Sequence, residues 1–427
     1  MTPLNRMSPL LLLYRAAMAV IYWAARLANI LLRSPGLRER FGFYPPEEVQ
    51  KISVGYNVWL HAASGGEVNA IAPFCKAFRK ARPEAKIILT TTSETGKKLA
   101  LEKGVADTVF LAPLDTGGPL KRAFNTFRPV MVLIAETEFW PNWFLRTGHN
   151  GIPLVLVNGR ISDKSFPSYM RLRSLFGKVL TCFNICLVQT PIDQQRLTSL
   201  GVSPARIQVA GQMKYDISAP DPAMVGKFKN ELGLKEGDIL FTLGSLREGE
   251  DDLLLPLVPE ILRFSPKVKV VVAPRHLKNA LICVDKLTKN KIPCVLRSGL
   301  GKSAQGERVV VLDTFGELSL SYQLSRAAFV GGTLVEVGGH NVMEPALSGV
   351  PVCFGPHTQN VREAADALTL SGGGVPLKDA TELVGTFQKW MDQAEAKSAG
   401  LKARDAVSNM SGATGRTVEM VLERWNV

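Results

Sequence analysis

The chain has 427 residues, 46% of them hydrophobic, and carries a formal net charge of +13. That length and apolar content exclude a disordered chain and suit two domains of ordinary size, each with a core of its own. The positive surplus points to anionic partners such as phospholipid headgroups, phosphorylated substrates or nucleic acid; the plain alternative is a basic surface with no particular partner.

The first element is apolar. Residues 7–32 are interrupted only by Arg15 and Arg26, and the uncharged stretches fall short of the roughly 20 residues that a helix needs to cross the hydrocarbon core. Six arginines and a single acid, Glu39, lie between Met1 and Gly42, with Tyr14, Tyr22 and Trp23 suited to a water–lipid boundary. The expectation is a helix lying in the cytoplasmic leaflet with its arginines on anionic headgroups. A strained single span with snorkelling arginines and a buried helix capping the domain are the alternatives. A cleaved signal peptide is not expected, because no small-residue cleavage site is evident.

Beyond Pro45-Pro46 short apolar runs read as buried parallel strands: Val58–Leu60, Lys86–Thr91, Thr108–Leu111, Val130–Ala135, Pro153–Val157, Ile185–Val188 and Ile207–Val209. Helical patterns such as Val68–Arg82 and Ile192–Leu200 lie between most of them, which predicts a parallel sheet covered on both faces. The stretch Asp216–Pro222 has the proline and aspartate content of a linker. The pattern then restarts with Ile239–Leu243, Val268–Ala273, Val295-Leu296, Val309–Leu312, Ala327–Val330 and Val350–Cys353, and ends in helices. The predicted fold class is α/β, two doubly wound Rossmann-like domains facing a cleft. The expected divisions are a membrane-associated segment 1–42, a first domain 43–215, a second domain 216–391 and terminal helices 392–427. Cys75, Cys182, Cys186, Cys283, Cys294 and Cys353 form no CxxC pair and sit in or beside apolar runs, so free thiols in a reducing compartment are expected rather than disulfides or zinc.

Ligands of doubly wound sheets bind beyond the carboxyl ends of the strands, so the strand-to-helix junctions are the candidate sites. In the first half, His61-Ala62-Ala63-Ser64-Gly65-Gly66-Glu67 places paired glycines and a carboxylate at a helix start. Glu67 is either a general base for a sugar hydroxyl or a first-turn acid answering the helix dipole. Glu136 and Glu138 follow the strand 130–135 with an aromatic cluster; helix capping is the simpler reading of Glu138, and core packing that of Trp140. Arg160, in Asn158-Gly159-Arg160, is a candidate for an anionic group or a surface ion pair. Lys214, in Gly211–Asp216, suits a carboxylate or phosphate.

In the second half, Gly244-Ser245 followed by a helix start is a candidate phosphate cradle, though not a P-loop. Pro274-Arg275 ends a strand, with the arginine placed for a phosphate or base carbonyl. Phe315-Gly316-Glu317 follows another strand and could read a pyrimidine edge. The densest junction runs from Gly331 to Ala346, with two Gly-Gly pairs, His340, Asn341, Val342, Met343 and Glu344. Asn341 reads as a helix cap and Glu344 as an acceptor for ribose hydroxyls or as part of a capping box. Neither half has a GxGxxG fingerprint, a nucleophile elbow or a metal-ligand cluster, so no dinucleotide, metal or other cofactor is expected.

With Arg40-Phe41-Gly42, HAASGGE, AETEFWPN, NGRIS, GQMKYD, PRH, FGE and GGTLVEVGGHNVMEPA in this order and spacing, the chain resembles the Kdo (3-deoxy-D-manno-octulosonic acid) transferases of lipopolysaccharide biosynthesis along nearly its whole length. The resemblance implies a GT-B fold and metal-independent, inverting transfer from CMP-Kdo to a lipid A precursor, on the cytoplasmic side of the inner membrane. It implies that Glu67 is the general base and that Glu136 and Lys214 stabilise the transition state. It also implies that Pro274-Arg275, Phe315–Glu317 and Asn341–Glu344 hold CMP. The family usually has Ser-Val-Gly before the base, where this chain has Ser64-Gly65-Gly66, a looser loop. Two rivals remain: a GT-B transferase using a UDP-sugar, and a non-enzymatic basic protein binding acidic lipid or nucleic acid. Acids and glycines at successive strand ends count against the second, and nucleic acid is not an expected partner.

Overall fold

The structure is a computed structural model that describes residues 9–32, 35–216, 220–300 and 307–424. The apolar runs of the first half become β1 (Tyr56–His61), β2 (Ala85–Thr91), β3 (Thr108–Leu111), β4 (Pro129–Ala135), β5 (Leu154–Gly159), β6 (Ile185–Val188) and β7 (Ile207–Val209). They form one sheet in the order β3-β2-β1-β4-β5-β6-β7, with parallel pairing throughout. Alternate side chains enter opposite cores, which is why both faces read as apolar. In β1, Trp59 packs with Ile88 and Val132 on one face, and Val58 and Leu60 with Ile87 and Leu89 on the other.

The second half builds an independent parallel sheet from β8 (Ile239–Leu246), β9 (Val268–Pro274), β10 (Val295–Leu296), β11 (Val309–Val311), β12 (Ser325–Val330), β13 (Val352–Phe354) and β14 (Gly374–Pro376), in the order β10-β11-β9-β8-β12-β13-β14. In each sheet the strand order reverses once beside the first strand: between β1 and β4, and between β8 and β12. At these switch points adjacent crossovers leave in opposite directions and open a crevice at the carboxyl edge.

The chain divides into two compact units, Met1–Asp216 with Ser411–Val427, and Ile217–Met410. The expected linker Asp216–Pro222 lies partly outside the described residues. At its start the Asp216 carboxylate accepts the backbone N–H groups of Gly412, Ala413 and Thr414. It thereby caps the helix Ala413–Leu422 and ties it to the first unit. The two terminal helices thus go to different units, Gln393–Ser408 to the second and Ala413–Leu422 to the first.

The N-terminal helix, Pro9–Leu32, docks on the first unit by one stripe. Leu11 and Met18 are buried, Tyr14 donates to Asp115 at 2.7 Å, Arg15 donates to Asn142 at 2.8 Å, and Tyr22 meets Phe41 edge-on at 5.4 Å. Asp115 also accepts the backbone N–H groups of Asn142 and Trp143. The opposite stripe stays exposed and apolar: Leu13 at 66%, Val20 at 70%, Leu27 at 64% and Ile30 at 65%. Its 20-residue window Pro9–Ala28 is long and apolar enough to cross a membrane by length and composition. The six cysteines are free thiols, four of them buried.

Candidate active site

At the switch point of the first sheet, β1 ends at His61 and the helix Gly65–Ala81 begins with Ser64 as its N-cap. The Ser64 hydroxyl accepts from Glu67 N, and the Glu67 carboxylate accepts from Ala63 N at 2.6 Å and from the Ser64 hydroxyl at 3.2 Å. This reciprocal cap fixes the carboxylate over the strand end. Gly65 and Gly66 form the first helical turn and have no positive φ; the cap holds the loop even with the additional glycine.

Across the crevice β4 delivers Glu136, whose φ is 53°. A left-handed conformation in a non-glycine residue is strained and aims its side chain away from the strand's continuation. Asn158, in β5, is likewise at φ 54°, and its buried side chain accepts from Met213 N at 3.4 Å. That bond ties the turn Met213–Tyr215, which carries Lys214, to the sheet.

Glu67, Glu136, Glu138, Arg160, Ser162 and Tyr169 line a pocket of about 300 Å³. Burial raises the Glu67 pKa to about 7; the Ala63 N–H opposes this, while the neighbouring Glu136 and Glu138 carboxylates add to it. Burial also raises Glu136, against the charges of Arg160 and Lys214. Glu138 is raised by burial as well. The sequence reading of Glu138 as a helix cap does not hold, because the helix Pro141–His149 has Trp140 at its N-cap and no side-chain cap bond. Trp140 packs against the core as expected. Ser165 and Tyr169 also line the pocket, and sequence reasoning does not find them: they follow β5 by several residues, and nothing in their local sequence marks them. A half-buried carboxylate with a pKa near 7, in a polar pocket, can take a proton from a hydroxyl at neutral pH.

The switch point of the second unit is built differently. Ser245, at φ 57°, lies within β8, and the following helix starts only at Glu250 and is five residues long. The expected phosphate cradle on a helix N-terminus is therefore not formed. Glu250 is fully buried, and its carboxylate accepts the N–H groups of Arg247 (2.9 Å), Gly332 (2.6 Å), Thr333 (2.9 Å) and Leu334 (2.9 Å). It laces the loop after β12 to the loop after β8. A Cβ on Gly331 would lie 2.7 Å from the Glu250 carboxylate and 2.5 Å from Ser245 O, so this glycine makes room for the buried side chain.

Around that clamp Arg247 donates to Nε2 of His340 at 3.1 Å and meets Nε2 of His276 at 2.8 Å. An arginine only donates, so the His340 ring accepts through an unprotonated Nε2. Burial lowers the His340 pKa to about 4, helped by the charges of Arg247, Arg275 and His276. Arg275 follows β9 and is exposed; its charge also opposes the burial that raises Glu344. Asn341 accepts from Met343 N at 3.0 Å and its amide approaches Glu344 at 3.5 Å, but the helix Met343–Leu347 has Val342 at its N-cap, so Asn341 stands one residue ahead of the cap position expected of it. Val342 and Met343 are buried, leaving them only backbone groups to offer. Arg275, Asn341 and Glu344 therefore share one neighbourhood with Arg247, His276 and His340.

The stretch Phe315–Glu317 follows β11. Phe315 is 89% exposed and Gly316 has φ 81°, but the Glu317 carboxylate is already engaged by Arg297 at 2.8 Å and by the Thr314 hydroxyl. No cluster of three or more potential metal ligands occurs among the described residues.

A family model described as 3-deoxy-D-manno-octulosonic-acid transferase (kdotransferase) matches residues 35–217. The chain is 31% identical over 364 residues to the 3-deoxy-D-manno-octulosonic acid transferase of Chlamydophila psittaci, covering 84% of this chain and 82% of that one. It is 30% identical over 334 residues to a bifunctional glycosyltransferase/methyltransferase of Fusobacterium nucleatum, covering 77% of this chain but only 51% of that longer protein. Among solved structures it is similar to UDP-GlcNAc 2-epimerase from Neisseria meningitidis, with a TM-score of 0.57 at 14% identity, covering 86% of this chain and 100% of that one. This likeness bears on fold alone, and the fold is of the GT-B type. With a relative at this identity matched over most of both chains, the chain belongs to the 3-deoxy-D-manno-octulosonic acid transferase family and is a glycosyltransferase.

Proposed function

We propose that the chain transfers Kdo from CMP-Kdo to a lipid A precursor, lipid IVA, in lipopolysaccharide core biosynthesis. The reaction is an inverting, metal-independent displacement at the cytoplasmic face of the inner membrane. The observation that carries this reading is Glu67: a carboxylate fixed by a reciprocal cap, with a pKa brought to about 7, in a polar pocket at the sheet's switch point.

An acceptor hydroxyl in that pocket gives its proton to Glu67 as its oxygen bonds to the anomeric carbon of Kdo. The bond from that carbon to the phosphate oxygen breaks, and the electron pair leaves with CMP. Glu136, with Arg160 and Lys214, sets the field around the oxocarbenium-like centre and the Kdo carboxylate. On the second unit Arg275 and the neighbouring Arg247 meet the departing phosphate, with Ser245 and Pro274 shaping that edge. Glu344 and Asn341 take the ribose hydroxyls, and Phe315 and Gly316 lie where a pyrimidine can rest. The helix Pro9–Leu32 supplies the contact with an anionic membrane surface.

The test is CMP release from CMP-Kdo, with and without lipid IVA, by the full chain. Acceptor-dependent release that persists in EDTA, with product of inverted anomeric configuration, supports the reading. Release from a UDP-sugar instead, or loss in EDTA that Mg²⁺ restores, counts against it.

A further inference from the structure

A second, wide groove of the first unit is remote from the carboxylate pocket. It has a volume of about 1940 Å³ and lies between the N-terminal helix and the opposite edge of the sheet. Its lining residues Ile152, Asn184 and Arg206 precede β5, β6 and β7, so it sits at the amino ends of strands whose carboxyl ends face the Glu67 side. At about 3.3 Å per residue, six-residue β5 sets these two edges roughly 20 Å apart. A sugar bound here is out of reach of Glu67.

Arg15, Arg146, His149, Lys178 and Arg206 line the groove, and among the described residues no carboxylate does. Some of this charge answers the carbonyl ends of two helices, Pro141–His149 and Arg173–Leu180, whose last turns carry Arg146, His149 and Lys178. Each such end is equivalent to about half a negative charge, so four arginine and lysine charges leave a surplus of about three. Arg206 also donates to the carbonyl oxygens of Thr181 and Phe183. Between the cations the walls are apolar, with Leu11, Leu145, Leu175 and Val179 among them. The groove exceeds the roughly 300–1,000 Å³ of small-ligand pockets and suits a headgroup with an acyl chain attached. The helix that forms one wall turns its exposed apolar stripe, including Trp23 at 58% and Leu27 at 64%, to the outside.

We propose that this groove is a binding site for one anionic glycerophospholipid of the bilayer, its phosphate on Arg146, Lys178 and Arg206 and an acyl chain along the N-terminal helix. The site is distinct from those of the sugar donor and acceptor. It deepens only the membrane-contact part of the proposed function, so it stands or falls apart from Kdo transfer.

Cys182 lines the groove as a partly exposed thiol, while Cys294, also partly exposed, lies in the other unit and serves as an internal reference. The experiment follows maleimide modification of both thiols in the full chain by mass spectrometry, in mildly alkaline buffer. It compares dioleoylphosphatidylglycerol vesicles, dioleoylphosphatidylcholine vesicles and inorganic phosphate without lipid. Phosphatidylglycerol is expected to slow Cys182 relative to Cys294 by roughly fivefold or more, as for a site filled several-fold above its dissociation constant. Phosphatidylcholine and phosphate leave the ratio unchanged. The double variant Arg146→Glu, Lys178→Glu abolishes protection, whereas Lys76→Glu, Lys80→Glu, an equal charge change on the exposed side of another helix, retains it. If the reversed double variant unfolds, Arg146→Ala with Lys178→Ala serves in its place. Equal protection by the two lipids, protection by phosphate alone, protection that survives in the double variants, or a Cys182 that is unreactive before lipid is added would each overturn the proposal. Vesicle flotation reports membrane contact separately: flotation without protection sinks the groove and spares the anchoring helix.

Discussion

The two units present the same topological position, the crevice where the strand order reverses, and equip it in opposite ways. In the first unit three carboxylates meet in one pocket and burial holds them toward their protonated forms, with Glu67 at about 7. In the second the buried carboxylate, Glu250, is answered by four backbone N–H groups, and arginines and imidazoles surround the crevice. A carboxylate left short of donors is destabilised as an anion and so is ready to take up a proton. One saturated with backbone donors is spent on holding two loops together. The fold supplies the place, and the hydrogen-bond inventory decides whether an acid there does chemistry or holds a loop.

The sharpest way to break this contrast is to neutralise each acid. Glu67→Gln should lower the transfer rate by about 10²–10⁴-fold, the usual contribution of a general base, while CMP-Kdo binding survives in equilibrium dialysis. Because the folded state disfavours the Glu67 anion, the same variant should be more stable than the parent above pH 7, with the gain vanishing as the pH falls below the ordinary carboxylate value. Glu250→Ala should do the reverse. Four N–H groups lose their acceptor, which costs about 3 kcal/mol or more; urea unfolding of the full chain should show an earlier transition for the second unit. Equal stability losses in the two variants would erase the distinction drawn between them.

A smaller effect separates donor from acceptor. Arg275→Ala and Glu344→Ala should each weaken CMP binding by about tenfold, near the 1.5 kcal/mol lower figure for a hydrogen bond to a charged group, with acceptor affinity unchanged. Calorimetric titration with CMP checks this, and unchanged affinity in both variants would move the nucleotide elsewhere. Smallest for the chemistry is removal of residues 1–33. Flotation with anionic vesicles should be lost, while activity on detergent-dispersed acceptor persists at a melting temperature a few degrees lower. The helix contributes the Tyr14–Asp115 and Arg15–Asn142 bonds and two buried side chains to the first unit, but no strand of its sheet. An unfolded truncated chain would make the helix part of the core.

Most of this is legible in the sequence where one physical rule suffices. Parallel strands buried on both faces must be continuous apolar runs, and thirteen of the strands read that way. β14 does not, because Gly374–Pro376 follows two further glycines and offers one apolar side chain between Gly and Pro. The strand ends then mark Glu67, Glu136 and Arg160 as candidates, and the three line one pocket. What the sequence does not disclose is partner choice. Glu250 begins a helix, yet its carboxylate accepts from Gly332, 82 residues away. Glu317 looks free to meet a base, yet Arg297 holds it. Glu138 sits where a cap would sit, but the helix turns its start past it. Such pairings are fixed by tertiary geometry and leave no local signal.

The claim that carries the account is that Glu67 is the base and titrates near neutrality. Its most direct test is the pH dependence of kcat/KM for Kdo transfer, across the range where an acid near neutrality ionises, in the parent and in Glu67→Gln. The base must be ionised to act, so the parent should rise with unit slope in log kcat/KM as pH increases and level off above about 7. Residual activity of Glu67→Gln should show no inflection there. A flat parent profile, or the same inflection retained in Glu67→Gln, would contradict the assignment.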